Sequence, residues 1–444
     1  MKKHNWVGRK ISAVVLLTSF AVIADTAIAH NVAPEGFVSL FDGKTMDGWR
    51  GRSHFDPRED GQWDDATRNE KQAEWNADRD EHWSLDTALG EIVSDGHGVF
   101  LTTGRDYGDF ELYLDWKVMK ERGDSGIYLR GCPQVQIWDP NDVAAHENGS
   151  DRGSGALWNN DDGNPGKWPL VLADNPIGQW NTFRIRMVGS RVWVWFNDQL
   201  TVDGAVMDNY FDRQRPIFAS GCIQLQTHGS ETRFRNIFIR DIPTEEANQI
   251  LRENQSDGFV SIFNGQDFTG WTVAGAGNKV GDEAIVHSDG QIFTDKEYGD
   301  FAVQFEFRLP SAGNNGLAIR YSGKGAPHVE GMCELQVLDS EHPDYTKLDP
   351  RQYHGSAYGI AAAHRGYLRP TGQWNFQRVV VQGSQIQVEL NGNVILDCDV
   401  NDVTDFMGNY DHPGLSRKSG HFGFCGHGDA VAFRKIEIKE LDGQ

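Results

Sequence analysis

The 444-residue sequence predicts an all-β protein made of two tandem β-sandwich domains of jelly-roll type, joined by a short helical linker. Three observations carry that expectation. Short runs that alternate apolar and polar residues at period two follow one another along the chain, and helical periodicity is scarce. Fifty Gly supply turns between such runs. Most of the chain is also written twice, in the same order of motifs. About a dozen short strands per copy, each with one apolar face, imply two antiparallel sheets packed face to face.

The first 29 residues read as a secretory signal peptide. Lys2, Lys3, Arg9 and Lys10 form a basic start, and 11–24 is an apolar run shorter than the roughly 20 residues of a membrane span. Ala27-Ile28-Ala29 is an A-x-A cleavage signature, and no Cys follows it to take a lipid. The expectation is an exported protein starting near His30, periplasmic or extracellular, with no membrane span after signal removal. The first copy then occupies 30–243, the linker 244–256 and the second copy 257–444.

The two copies share ordered anchors. GFVSLFDGKTMDGW (36–49) matches GFVSIFNGQDFTGW (258–271), and YGDFELYLDWKV (107–118) matches YGDFAVQFEFRL (298–309). DSGIYLR (124–130) matches NNGLAIR (314–320), and PQVQIWD (133–139) matches CELQVLD (333–339). GQWNTFRIRMVGSRVWVWFND (178–198) and LQTHGSETRFRNIFIR (225–240) recur as GQWNFQRVVVQGSQIQVELNG (372–392) and FCGHGDAVAFRKIEIK (424–439). The first copy alone carries an insertion at 50–83, charged and partly helical, with Trp63, Trp75 and Trp83. A long loop of this kind is either a lid or a decoration packed by its own Trp. The linker TEEANQILRENQS (244–256) is polar and reads as a short helix.

Composition narrows the partners. The formal charge is −22, and it becomes −25 without the signal segment, so nothing basic remains for nucleic acid or an anionic membrane. The five cysteines, Cys132, Cys222, Cys333, Cys398 and Cys425, do not correspond between copies and include no CxxC. A shared disulfide framework and a zinc-cysteine site are both disfavoured.

The outer face of the sheet is the candidate site. In PQVQIWD, Val135 and Ile137 point to the core and Gln134, Gln136 and Trp138 point away. In SGIYLR, Tyr128 and Arg130 face out. In CIQLQTH, Gln224, Gln226 and His228 face out. Amides, a guanidinium and an imidazole gathered with Tyr and Trp suit sugar hydroxyls and sugar rings. An ordinary solvated face is the competing reading, but such faces are richer in Lys, Glu and Thr. The second copy exchanges Gln134 for Glu334, Gln224 for Gly423 and Gln226 for Cys425, and keeps Arg320, Gln336, Asp339 and His427. It thus gains a carboxylate able to act as acid or base. Arg434 repeats Arg235 while Lys435 replaces Asn236, a pair that reads as a hydrogen-bonded strand-end turn. Histidines are numerous in the second copy, at His342, His354, His364, His412, His421 and His427, without HExxH or a tight metal spacing; a divalent metal on His and carboxylates has only weak support.

Taken together, the ordered motifs resemble the exported 3-keto-disaccharide hydrolase domain family, also described as 3-keto-glucoside lyase/hydratase domains. The resemblance implies a concanavalin A-like jelly roll in each copy. It implies removal of the C2 hydrogen of a 3-keto-glycoside, loss of the C1 substituent and addition of water, with net hydrolysis. The catalytic set carried over is Glu334 or His427 as base, Arg320 or a bound divalent cation at the enolate, and Asp339 as the group that orients the base or binds metal. The substrate-binding set is Gln336 and Tyr358 in the second copy, and Arg130, Gln134, Gln136, Asp139, Gln226, His228 and Trp158 in the first. The first copy lacks the carboxylate, so it holds the sugar or a polysaccharide, or uses His228 and Asp139 instead. A non-catalytic lectin-like protein is the alternative. An ordinary glucanase fits poorly, because no E-x-D-x-x-E strand is present, and a purely structural pair of jelly rolls is more distant still.

Overall fold

A computed structural model describes residues 31–409 and 411–442. The signal segment 1–29 lies outside the described residues. The chain is all-β, as its alternation predicts. In the first half an eight-stranded and a five-stranded antiparallel sheet face each other. The larger runs Gln199–Val206, Arg191–Phe196, Asn181–Val188, Phe110–Val118, Thr232–Asp241, Glu91–Ser94 and Trp83–Asp86, with Val38–Ser39 beside Thr232–Asp241. The smaller runs Trp49–Arg52, Phe100–Thr103, Gln224–Leu225, Asp124–Leu129 and Cys132–Trp138. Leu112, Leu114, Ile185 and Val194 from one sheet meet Leu101, Ile127, Val135, Ile137 and Leu225 from the other in one core. Complete burial of each of these side chains is worth about 2 kcal/mol.

The second half repeats the layers with one difference. Its strands Ala284–Tyr298 and Gly420–Glu440 are long enough to bend through both layers, so the two layers join into a single 11-stranded sheet. Register shifts at His287/Asp289 and Phe293/Glu297 mark the bends, where bulges turn the strands. Details of the duplication persist: Trp49 Nε1 donates to Leu40 O at 2.6 Å, and Trp271 Nε1 to Ile262 O at 2.7 Å. Asn236 and Lys435 both sit at positive φ, 52° and 51°. Asn236 donates to Asp115 and Lys435 to Glu306, so this pair is a bulge held by hydrogen bonds.

The insertion covers a sheet edge. Its helix Asp65–His82 lies along the edge strand Trp49–Arg52 and bonds that strand's backbone with side chains. Asn76 accepts from Gly51 N, Gln72 donates to Gly51 O at 2.9 Å and Arg79 donates to Trp49 O at 2.8 Å. An edge that would otherwise invite pairing is thereby closed. Phe55, Trp63 and Trp75 pack together beside it. A Cβ at Gly51 would lie 2.0 Å from the Trp75 carbonyl. Gly51→Ala is therefore expected to unseat the helix and cost about 1–3 kcal/mol, read as a lowered thermal midpoint; an unchanged midpoint would show that the helix rests elsewhere.

The linker sequence forms the helix Thr244–Glu253, and one face of it is apolar and buried. Ala247 and Leu251 pack with Val188, Trp193, Ile242 and Phe376, residues from both halves. The five cysteines are all free. Among the described residues, no helix is long and apolar enough to cross a membrane.

Candidate functional site

Alternation along the strand Cys333–Leu338 builds the site: Leu335 and Val337 enter the core, so Glu334 and Gln336 take the other face. Gly316 on the paired strand leaves room for the carboxylate, since a Cβ there would lie 2.1 Å from Glu334 Oε1. His427, from the long strand Gly420–Glu440, brings Nε2 to 3.3 Å from that Oε1. His328, on the short helix Pro327–Glu330, brings Nδ1 to 3.6 Å from Oε2, a charge contact longer than a hydrogen bond. Tyr358 closes the group, its ring 5.7 Å from that of His328 and its backbone N–H bonded to Glu334 O.

Exposure divides the labour. The Glu334 side chain is 4% exposed, whereas His427 is 44% and His328 41% exposed. Burial alone would raise the Glu334 pKa; the histidines beside it outweigh burial and hold the carboxyl below its ordinary value. The hydrogen bond to Glu334 in turn raises the His427 pKa. The result is a sunken carboxylate that stays ionised, with an imidazole poised to carry a proton at its open side. Such a pair can abstract a proton from one atom of a ligand and deliver one to another. Among the described residues, no group of three or more His, Cys, Asp or Glu side chains is placed to hold a metal ion.

Arg320 and Asp339, expected in this group, do not join it, and their first-half counterparts Arg130 and Asp139 are placed likewise. Arg320 is only 1% exposed. Its φ of 46° breaks the strand's alternation and turns the side chain off the outer face. The guanidinium is consumed by Gly299 O, Gly383 O, Arg417 O and Asp300 Oδ1. Arg130 is its counterpart, at φ 53°, fully buried and bonded to Gly108 O, Phe218 O and Asp109. Both arginines lock loops. Asp339 accepts the Ala312 N–H at 3.0 Å and Asp139 the Arg122 N–H at 2.9 Å, so both are loop staples. Trp138, expected outward, is 7% exposed and donates to Gly153 O. Gln336 shares the face of Glu334 and donates to Asn314.

In the first half Gln134, Gln136, Gln224, Gln226 and Tyr128 do share one face, but all are buried, not lying in an open trough. Gln134 donates to Gln136, Gln136 to Asp124 at 2.8 Å, and His228 Nδ1 lies 3.0 Å from Asp124. The His54 ring, from the insertion, packs 4.7 Å from Tyr128. Trp158 stands beside Trp138 and donates to Asn148 O. One polar end of Gln134, of Gln224 and of Gln226 is buried without a partner, as is His54 Nε2. Between the halves the carboxylate has crossed to the neighbouring strand. His228 meets Asp124 in the first, where the second has Asn314; His427 meets Glu334 in the second, where the first has Gln134. The histidine stays and its acid moves.

His328 escaped sequence reasoning. The signal for it is a length difference: matched positions are 190 apart at Arg130/Arg320 but 200 apart at Gln134/Glu334, so the second copy has an extra segment between them. That segment forms the helix Pro327–Glu330 and delivers His328 to the carboxylate.

Comparison with known proteins gives a family. The model of a 3-keto-alpha-glucoside-1,2-lyase-like domain matches residues 36–240 and again 258–439. The chain is 24% identical over 250 residues to the 3-keto-disaccharide hydrolase of Bacteroides thetaiotaomicron, an alignment spanning 46% of this chain and 86% of that protein. A solved structure from Parabacteroides distasonis, provisionally named a glycosyl hydrolase, is 23% identical with a TM-score of 0.37, covering 45% of this chain and 99% of that one. A carbohydrate-binding module from Bacillus subtilis is 12% identical with a TM-score of 0.27, covering 38% and 96%.

Proposed function

Since the chain belongs to the 3-keto-alpha-glucoside-1,2-lyase-like domain family, we propose that it is an exported enzyme that cleaves 3-keto-glycosides, and that the second half does the chemistry. The observation that carries this reading is the contact at 3.3 Å between the sunken Glu334 carboxylate and the half-exposed His427 imidazole. A 3-keto group acidifies the hydrogen on C2. Glu334 takes that proton, the electron pair forms the enolate, and imidazole N–H groups of His427 and His328 face the developing negative charge. The enolate reforms the ketone, the C1–O bond breaks, and His427 gives its proton to the departing oxygen. Water then adds to C1 of the enone and C2 regains a proton, so the sum is hydrolysis. The first half, which has Gln134 where the second has Glu334, serves to bind saccharide.

The test is incubation of the purified protein with 3-keto-trehalose, a 3-keto-glucoside and unoxidised trehalose, with and without chelator, followed by detection of released sugar. Cleavage of the two 3-keto substrates alone is expected. Absence of any cleavage, with glycan affinity retained, would favour a lectin-like protein.

The same pair dictates a pH profile. Turnover needs Glu334 ionised and His427 protonated. The acid limb of kcat/KM is expected below 4.5, because the Glu334 pKa is lowered from that value, and the alkaline limb above 6.5, because the His427 pKa is raised from that one. A profile rising through pH 7 to a plateau at pH 9 would make neutral His427 the base and remove the need for a proton on either group.

A further inference from the structure

The polar face of the first half does not end at its amides. Arg50, Thr102, Gln224 and Tyr128 form one row across four adjacent strands, by direct pairing of Arg50 with Thr102, Thr102 with Gln224 and Gln224 with Tyr128. Arg52 lies one step along, paired with Phe100. Thus the outer end of the amide face carries two guanidiniums. They open on a recess of about 280 Å³ that Arg58 and Arg130 also line, with Asp60 and Asp106 as its acids. Asp60 pairs with Arg52, and Arg58 and Arg130 are neutralised by acids outside this wall.

Two of these cations are incompletely matched. Arg52 is 2% exposed, bonds Asp60 through Nη2 at 3.0 Å and stacks on Phe55, yet its Nη1 is buried with no partner. Arg50 is half-buried and donates to Gln72 and to the Thr103 carbonyl; among the described residues no carboxylate lies within 4.0 Å of it. Arg58 and Arg130, by contrast, have their own acids, Asp56 with Asp212 and Asp109. A buried guanidinium short of an acceptor is costly and is relieved by an oxyanion. The second copy has no such feature: Thr272 and Ala274 stand where Arg50 and Arg52 stand in the first.

We propose that this recess receives the carboxylate or sulfate of an acidic saccharide. The first half is then selective for anionic sugars and the second is not. The proposal leans on the carbohydrate reading only for what carries the anion, and its test reads binding rather than cleavage. Titration calorimetry of the full chain should show glucuronate binding at least tenfold tighter than glucose, and tighter than inorganic sulfate. Arg50→Met should weaken glucuronate at least tenfold. Ser220→Asp, an exposed change on the recess wall that puts a like charge before the ligand, should do the same with the fold intact by circular dichroism. Glu334→Gln should leave glucuronate binding untouched whatever it does to turnover. Glucuronate no tighter than glucose, or undiminished in both recess variants, overturns the proposal. Sulfate as tight as glucuronate overturns the saccharide assignment.

Discussion

Glu334→Gln should reduce kcat/KM on a 3-keto-glucoside by about 10²-fold or more while the thermal midpoint and circular dichroism stay near those of the parent. The amide keeps the shape of the side chain and can still accept from His427, but it cannot take a proton from carbon. The molecule contains its own comparison, because the first half already has Gln134 at this place. The change has a second readout. His427 owes its raised pKa chiefly to its hydrogen bond with Glu334, so in the variant the imidazole should titrate closer to 6.5, visible by NMR. Gly316→Ala approaches the same point from below, displacing the carboxylate without altering its chemistry, and should also lose activity. Turnover within twofold of the parent in Glu334→Gln would remove Glu334 from the reaction; an unmoved His427 titration would remove the coupling.

Period-two alternation was enough to find the sandwiches, since burial of Val135, Ile137, Leu335 and Val337 needs only their spacing. It also brought Glu334 and His427 to one face, because both lie in regular strands. It failed at Arg130 and Arg320, where a residue at positive φ breaks the period and reverses the side chain, a backbone event that the letters YLR and AIR do not announce. Asp139 and Asp339 misled for a related reason: an acid just past a strand end is as apt to staple a turn as to meet a ligand. His328 was hidden, and so was the seat of the insertion helix on the sheet edge, because both come from insertions, where one copy offers no counterpart to compare. The buried face of the helix Thr244–Glu253 was concealed by its short length, since three small or apolar contacts in a polar string leave little periodic signal.

Removing one partner of the ion pair between the halves should have the largest effect on stability. Arg191 and Glu389 are bidentate, and their side chains are 10% and 4% exposed. Beside them Ser190 donates to Asn393, so the two hairpins are tied at their tips. Burial pushes the Glu389 carboxyl up, but Arg191 overrides it and holds the pKa below the ordinary 4.5. Glu389→Ala leaves a guanidinium enclosed without its charge partner, at a cost of about 3–5 kcal/mol, or a fall in thermal midpoint on the order of 10 °C for a half of roughly 200 residues unfolding on its own. The double change Arg191→Met with Glu389→Leu should recover most of the loss, because it removes the buried charge along with the pair. Since the folded-state pKa is depressed, the pair's contribution is present above pH 4.5 and disappears as pH falls through the folded-state value. The gap between parent and Glu389→Ala should therefore be wide at pH 7 and narrow in acid. A gap that stays constant into strong acid would mean that the loss in Glu389→Ala reflects an empty space in the packing and not an unmatched charge.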